Sequence, residues 1–303
     1  VSGGKDGSYI AYNLKYKYNM NPLCVTIRPP LPSKLGDLNL QKFANSGYSL
    51  ISVEPGYKAM QALNKAGFFE MGFPYYGWLL SIFTGPPQIA KKFGINLIFY
   101  SEDGEVEYGG TNKSEETYLF SPDYIKEIYY EGGYEKVIKK TNLSENDLFF
   151  FTFPSDEESK LKFTHWSYFE NWDPYRNYLV AKEFCGLEEN KSSNMGTFTN
   201  FAQNDQLLYT LHTYVMYLKF GFGRSNQDAC IEIRRGAMSR MQGINLVNLY
   251  DGNHPTEDQI NEYLKYYEIT REEYEKCIDK WTNKKLFKKN NKTGKWEPTF
   301  KIK

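Results

Sequence analysis

Several features that assign proteins to familiar classes are scarce or missing here. Lysine plus arginine and aspartate plus glutamate both number 37, so the chain lacks the excess of cations with which general nucleic-acid binders displace counterions. The three histidines are dispersed, and no CxxC pair forms among Cys24, Cys185, Cys230 and Cys277, which argues against a disulfide framework or a zinc site built from them. No apolar run approaches the ~18 residues of a membrane helix, and no signal peptide is recognisable. We therefore expect a cytoplasmic protein with neither nucleic-acid nor membrane partners.

Aromatic residues, by contrast, are abundant. They make up 17% of the 303 residues, with 26 tyrosines and 21 phenylalanines. Such rings can line a sugar or nucleobase site, but most rings in proteins fill the core and subunit contacts. The composition therefore favours a large packed core, and it is compatible with a homo-oligomer.

The first third of the chain alternates between short apolar runs and amphipathic segments. Strands are predicted at 22–27, 49–53 and 95–100, and helices at 8–18, 38–46, 57–69 and 78–93. Further helices are predicted at 123–140, 165–185, 202–218, 257–267 and 271–286, the last beginning at a capping box formed by Thr270 and Glu273. Strands separated by crossover helices indicate an α/β fold with a doubly wound, mostly parallel sheet. We assign that sheet to residues 1–110, and a largely helical region that closes the cleft to residues 111–303.

A glycine-rich segment at the start of the chain predicts a phosphate-binding loop. It consists of Ser2, Gly3, Gly4, Lys5, Asp6, Gly7 and Ser8. Adjacent glycines let a backbone turn tightly and bring its N–H groups close to a ligand, and the following helix points its positive end at the same place. Lys5 adds a cation and the two serines add hydroxyl donors, while Asp6 suits a Mg²⁺ ion or a brace for the loop. The alternative is an ordinary glycine turn before a helix.

The string Ser-Gly-Gly-Lys-Asp resembles the signature of the PP-loop superfamily, whose members split ATP between its α and β phosphates. It is not a Walker loop. Gly7 stands where that signature usually has serine, and Ser8 follows one position later. Further nucleotide contacts are predicted where strands end, at Thr26, Ile27, Arg28 and Glu102. The strand that normally feeds such a loop is not in the sequence, so we expect an upstream segment.

Longer stretches resemble the N-acetyl sugar amidotransferases, most closely the PseA-type subgroup of pseudaminic acid biosynthesis. They are SGGKDGSYIAYNLK, NPLCVTIRP, NLIFYSEDGEVEYGG, THWSYFENWDPYRNYLVA and YLKFGFGRSNQDACIEIRRG. The resemblance implies that ATP and Mg²⁺ activate an acetamido oxygen as an adenylate, and that ammonia from a separate glutaminase subunit then gives an acetamidino group. It also implies an upstream segment with paired cysteines that binds Zn²⁺.

Two polar segments are candidates for this chemistry. The first segment follows the third predicted strand and contains Glu102, Glu105, Glu107 and Tyr108. Glu102 is predicted to bind Mg²⁺ together with Asp6, and the other three are predicted to bind the sugar. Lys219 and Arg224 flank two glycines, and this spacing suits a loop that closes on the leaving pyrophosphate and acts in catalysis together with Lys5 and Asp6. In each case the alternative is a solvated surface turn.

An aromatic and basic cluster is a candidate for sugar binding. It contains His165, Trp166, Trp172 and Arg176, whose guanidinium suits a sugar carboxylate. A packed helix core explains the same rings equally well. His212, within an apolar segment, is interpreted as a core histidine.

Two other functions remain open at this stage. One is a tRNA-modifying PP-loop ATPase, against which the neutral charge and the absence of a catalytic cysteine pair argue. The other is a module that binds ATP or AMP without turnover, which leaves the acidic segment and the Lys219–Arg224 loop without a role.

Overall fold

The computed structural model describes residues 1–101, 118–154 and 161–302. The strands are β1 (Leu23–Ile27), β2 (Ser49–Val53), β3 (Leu97–Tyr100), β4 (Lys162–His165), β5 (Phe287–Lys289) and β6 (Trp296–Pro298). The first helices are α1 (Lys5–Tyr12), α2 (Lys34–Asn45), α3 (Tyr57–Met71), α4 (Tyr76–Lys92), α5 (Pro122–Tyr124) and α6 (Tyr134–Lys139). The later ones are α7 (Pro174–Cys185), α8 (Leu208–Phe220), α9 (Arg224–Arg234), α10 (Arg240–Tyr250), α11 (Glu257–Tyr267) and α12 (Arg271–Trp281). One π-helical turn (Asn13–Lys17) extends α1 and another (Ile125–Tyr129) extends α5.

The strands of the first part pair in parallel. β1 lies beside β2 with Leu23 opposite Ser49, and β3 lies beside β4 with Leu97 opposite Lys162. The three predicted strands are therefore confirmed within one or two residues. In the described ranges they form separate two-stranded sheets, and the single doubly wound sheet stays a prediction.

One strand of each parallel pair borders a cavity of about 350 Å³. Its walls include all of β1 and β3, the side of α1 that carries Ile10 and Leu14, and the part of α4 around Pro86. Most of the lining side chains are aliphatic, so β1 and β3 border an apolar space.

Aromatic residues make up much of the core in the described ranges, as the composition favours. Phe68 stacks on Tyr267 at 5.3 Å between α3 and α11, and both rings are fully buried. Buried tyrosines donate hydrogen bonds from their hydroxyls to backbone carbonyls. The Tyr76 hydroxyl donates to the Tyr130 carbonyl at 2.7 Å, and the Tyr130 hydroxyl donates to the Leu80 carbonyl at 3.2 Å. Burial accordingly raises the pKa of these phenols.

Helix α4 continues through Pro86 and Pro87, although proline inside a helix usually breaks or kinks it. Pro87 has no N–H to give to the carbonyl of Phe83, one turn earlier. The Tyr100 hydroxyl from β3 donates to that carbonyl instead, at 2.7 Å. A side chain thus replaces the missing helical hydrogen bond and ties α4 to β3.

Several predicted helices are wrong in their extent. The helix predicted at 202–218 begins at Leu208, and the one predicted at 271–286 ends at Trp281. In the segment predicted as helix 165–185, β4 ends at His165 and the helix begins at Pro174, because the Asp173 side chain caps its first turn. The segment predicted as helix 123–140 is interrupted at Glu131 and Gly132, both of which have positive φ. Periodicity misses both breaks because a cap and a left-handed turn are local features.

The C-terminal part is helical, and caps define where its helices begin. The predicted capping box is confirmed: Glu273 N donates to Thr270 Oγ1 at 3.2 Å, and Thr270 N donates to Glu273 Oε2 at 2.7 Å. The same arrangement starts α10 at Ser239 and α11 at Thr256. Within the described ranges, no helix combines the length and apolar character needed to cross a bilayer.

Candidate functional site

A cavity of about 390 Å³ lies between the N-terminal loop and the helical C-terminal part. This volume is within the usual range for small-molecule sites. From the loop it is lined by Ser2, Gly4, Lys5, Asp6 and Gly7. The opposite wall comes from α8, the start of α9 and the segment at 201–205, and includes His212, Lys219 and Arg224. Segments more than 200 residues apart thus share one cavity.

The shape of the loop explains its glycines. Gly3 has φ +79°, and a Cβ on it would lie 2.6 Å from the backbone nitrogen of Leu40 in α2. Only glycine permits both this conformation and this close approach. Gly4 occupies the N-cap position of α1 and carries no capping side chain. Because Gly4, Lys5, Asp6 and Gly7 all line the cavity, the positive end of the helix dipole lies at the cavity.

Lys5 and Asp6 form an ion pair at the floor of the cavity. Lys5 is only 6% exposed, and its ammonium group contacts the Asp6 carboxylate. Asp6 Oδ1 also accepts from the Asn177 amide of α7 at 2.9 Å, so both carboxylate oxygens are engaged. The ammonium lies 6.0 Å from the centre of the Trp172 ring. Asp6 therefore acts in this structure as a brace between α1 and α7.

Ser8 is placed differently from the expectation. Its side chain is fully buried on the inner face of α1 and faces the Cys185 thiol, away from the cavity lining. The departure at Gly7 therefore moves the serine one position along the helix and turns its hydroxyl from the cavity. Gly7 instead packs against Val1, where a Cβ would lie 3.1 Å from the Val1 side chain.

The two predicted cations of the C-terminal part are both anchored at the opposite wall. Lys219 Nζ donates to the Met71 carbonyl at the end of α3 at 2.8 Å, and burial lowers its pKa. Arg224, 6% exposed, is the first residue of α9, and its Nε lies 2.8 Å from Asp228 Oδ1. A bound anion here would meet one ammonium and one guanidinium group in a weakly screened environment.

His212 belongs to the same wall, which the sequence interpretation missed. Its ring packs at 4.8 Å from Phe73 and 4.7 Å from Tyr75. Burial, followed by the charges of Lys219 and Arg224, lowers its pKa to about 3, so the imidazole is neutral at pH 7. The signal was present in the sequence: positions 209, 212, 216 and 219 lie on one helix face, and all four line the cavity.

The residues predicted at the end of β1 do not line the 390 Å³ cavity. Thr26 and Ile27 line the 350 Å³ cavity, and the Ile27 carbonyl accepts from the Trp78 indole at 3.1 Å. Arg28 pairs with Asp37 in α2. The cavities adjoin, since Ser2, Gly7 and Trp78 line both, so Thr26 and Ile27 are neighbours of the site.

The predicted sugar-binding cluster is a packing unit in this structure. His165 Nε2 lies 3.0 Å from the Tyr129 hydroxyl, and the Trp166 indole donates to Glu170 Oε2 at 2.8 Å. Arg176 donates to Glu170 Oε1 at 3.0 Å and lies over the Tyr9 ring. Tyr129 lines the cavity, but within the described part of the chain the lining includes none of the predicted cluster residues His165, Trp166, Trp172 and Arg176. Sugar binding by the cluster stays a prediction that its position does not support.

The predicted acidic segment, with Glu102, Glu105, Glu107 and Tyr108, lies outside the described residues. Ser101, directly before it, lines both cavities. Residues 1–101, 118–154 and 161–302 contain no group of three His, Cys, Asp or Glu side chains suited to hold a metal. With both its oxygens engaged, Asp6 forms no preformed Mg²⁺ site by itself.

Comparison with known families matches only the C-terminal part. Residues 195–303 match the family model of the LPS biosynthesis protein WbpG-like, C-terminal domain. No curated protein matches the chain. The matched range contains His212, Lys219 and Arg224, and thus one wall of the cavity. The opposite wall, with the glycine loop, precedes it.

Proposed function

We propose that this chain is an ATP-dependent amidotransferase that converts an acetamido group of a sugar into an acetamidino group. The observation that carries the proposal is the shared cavity: the N-terminal end of α1 with Lys5, and the cations Lys219 and Arg224, line the same space of about 390 Å³. Two separated groups of anion-binding features suit a polyphosphate. The match of residues 195–303 to an LPS biosynthesis domain supports a sugar as the second substrate.

The reaction proceeds in two steps. The acetamido oxygen attacks the α-phosphorus of ATP, the α–β bond breaks, and pyrophosphate leaves. Ammonia then adds to the activated carbon, the C–O bond breaks, AMP departs with the former acetamido oxygen, and a proton is lost to leave the acetamidino group. The protein's tasks are to hold the reactants in line and to stabilise the charge that builds up on pyrophosphate.

Roles for the cavity residues follow from their positions. The first-turn N–H groups of α1 and the Lys5 ammonium bind phosphate oxygens in the ground state. Arg224 and Lys219 line the same cavity and supply the cations that face the departing pyrophosphate. Tyr75, Trp78 and Tyr209 offer aromatic faces for the base or the sugar ring.

The finer parts of the proposal rest on the sequence resemblance. They are a pseudaminic-acid-type nonulosonate as substrate, Mg²⁺ bound with ATP, Zn²⁺ in an upstream segment, and the cytoplasm as the place of the reaction. The doubly wound PP-loop sheet is likewise proposed, and the parallel pairs β1–β2 and β3–β4 support it.

A separate source of ammonia is part of the proposal. Burial raises the pKa of the Cys24 and Cys185 thiols, and that of Cys277 to about 12. Glutamine hydrolysis by a cysteine needs a thiolate, so these three are poor nucleophiles. We expect the purified chain to use ammonium but not glutamine. Glutamine-driven turnover that survives replacement of all four cysteines would contradict the need for a glutaminase partner.

Mass spectrometry tests the reaction class. The chain is incubated with ATP, ammonium and candidate N-acetylated nonulosonates, and a matched reaction contains ¹⁵N-ammonium. The expected product has the substrate mass with one oxygen replaced by NH, and it carries the label. ATP binding by calorimetry without any such product across the candidate sugars would favour the non-catalytic ATP-binding module.

A further inference from the structure

The Asp251 carboxylate occupies the N-terminal end of helix α9. Its Oδ2 accepts from the backbone N–H of Gly223 at 2.8 Å, and its Oδ1 accepts from that of Ser225 at 2.9 Å. A Cβ on Gly223 would lie 2.7 Å from Oδ1, so the glycine is what admits the carboxylate. The place where a helix N-terminus would bind an anion is thus filled by the protein itself.

This arrangement makes the two helix ends at the cavity unlike each other. The N-terminus of α1 carries Gly4 at its N-cap and faces the cavity, whereas that of α9 is covered by Asp251. Helix α9 contributes Arg224, its first residue, and Gln227 to the cavity lining, and Arg224 is the charged one. Asp228, one turn later, fixes the guanidinium, and Thr197 donates to the other oxygen of Asp228.

We propose that Asp251 is a positioning residue for Arg224, in addition to its being a helix cap. By holding the N–H groups on both sides of Arg224, it fixes the backbone from which the guanidinium reaches the cavity. It also neutralises the positive end of α9, so an incoming phosphate is directed to the guanidinium and not to the helix end. The inference rests on the proposed function for its kinetic readout.

The test is a double-mutant cycle between Asp251 and Arg224. Asp251→Asn keeps one acceptor oxygen and removes the charge. This substitution is made in the wild type and in a variant that carries both Arg224→Met and Asp228→Asn. The second substitution is included because Arg224→Met alone would leave the buried Asp228 carboxylate without its cation. In the wild type we expect Asp251→Asn to lower kcat about ten- to a hundredfold, with a smaller change in KM for ATP. In the Arg224→Met background we expect almost no further loss, because Asp251 acts through Arg224.

Thr270→Ala is the matched control, since it removes the cap of α12 outside the cavity lining. It should lower the melting temperature and leave kcat unchanged. If Asp251→Asn behaves in the same way, or if its effect on kcat multiplies with that of Arg224→Met, Asp251 is a structural cap alone and the proposal falls.

Calorimetry with inorganic pyrophosphate separates this proposal from the proposed function. The same four proteins are titrated without a sugar, and Asp251→Asn should weaken pyrophosphate binding only where Arg224 is present. A wild type that makes no AMP would overturn the amidotransferase function, yet this titration would still decide the role of Asp251. A wild type that binds no pyrophosphate, or equal losses in both backgrounds, would overturn the positioning role.

Discussion

Removal of the Arg224 guanidinium is the change that best probes the cavity, and its size can be worked from the structure. The side chain is 6% exposed, so its charge is weakly screened. An interaction that strengthens as pyrophosphate leaves is worth about 2–4 kcal/mol, or roughly 30- to 1000-fold in kcat. Arg224→Ala alone would also leave Asp228 uncompensated, at a cost of about 3–5 kcal/mol of folding stability. Arg224→Met with Asp228→Asn avoids that cost.

The assay is steady-state kinetics of AMP formation, with circular dichroism to verify the fold. We expect kcat to fall by the range given above, while calorimetric affinity for ATP falls less, because uniform binding affects KM and not kcat. Arg234→Ala, at the exposed far end of the same helix, is the matched control and should leave kcat unchanged. A kcat within about threefold of wild type for the Arg224 variant would refute the catalytic role of this wall.

Further predictions concern the loop and His212. Lys5→Ala should raise KM for ATP and lower kcat together, because the ammonium lies in the ground-state phosphate site; a change in kcat alone would contradict this. Gly3→Ala should unfold the loop or abolish ATP binding. Gly94 also has positive φ but has open space around it, so Gly94→Ala should lower the free energy of unfolding by only about 1 kcal/mol. Equal melting temperatures for the two variants would refute the argument from the close approach at Gly3. The pKa of His212 is about 3 in the folded state and about 6.5 in the unfolded state. Its contribution to the free energy of unfolding is therefore complete above pH ~6.5 and is lost as the pH falls toward 3. At pH 5 the loss is about 2 kcal/mol. Urea unfolding at pH 7 and pH 5 should show a smaller difference for His212→Phe than for wild type, and equal differences would contradict the assignment.

Local sequence signals predicted the elements well where a single periodicity governs them. The three predicted strands and most helices are present, because apolar spacing dictates which face each element buries. The breaks at Asp173 and at Glu131–Gly132 were missed, since each depends on one or two residues within an otherwise helical pattern. How the parallel pairs combine into a sheet depends on long-range contacts that periodicity does not contain.

For the site, the sequence identified both walls but not every residue in them. Lys219 and Arg224 were singled out by their glycine spacing, and they share the cavity with the loop. Arg176 was proposed for a carboxylate ligand, yet Glu170, six residues earlier, already pairs with it. His212 and Asp251 were missed for the same reason: their roles come from contacts with other helices.

³¹P NMR of the reaction most directly tests whether this cavity supports the cleavage of ATP between its α and β phosphates. The chain is mixed with ATP and ammonium, with and without an N-acetylated nonulosonate, and the phosphorus products are followed in time. The account predicts that AMP and pyrophosphate appear together, and only when the acetamido sugar is present. Sugar-dependent formation of ADP and inorganic phosphate would contradict it.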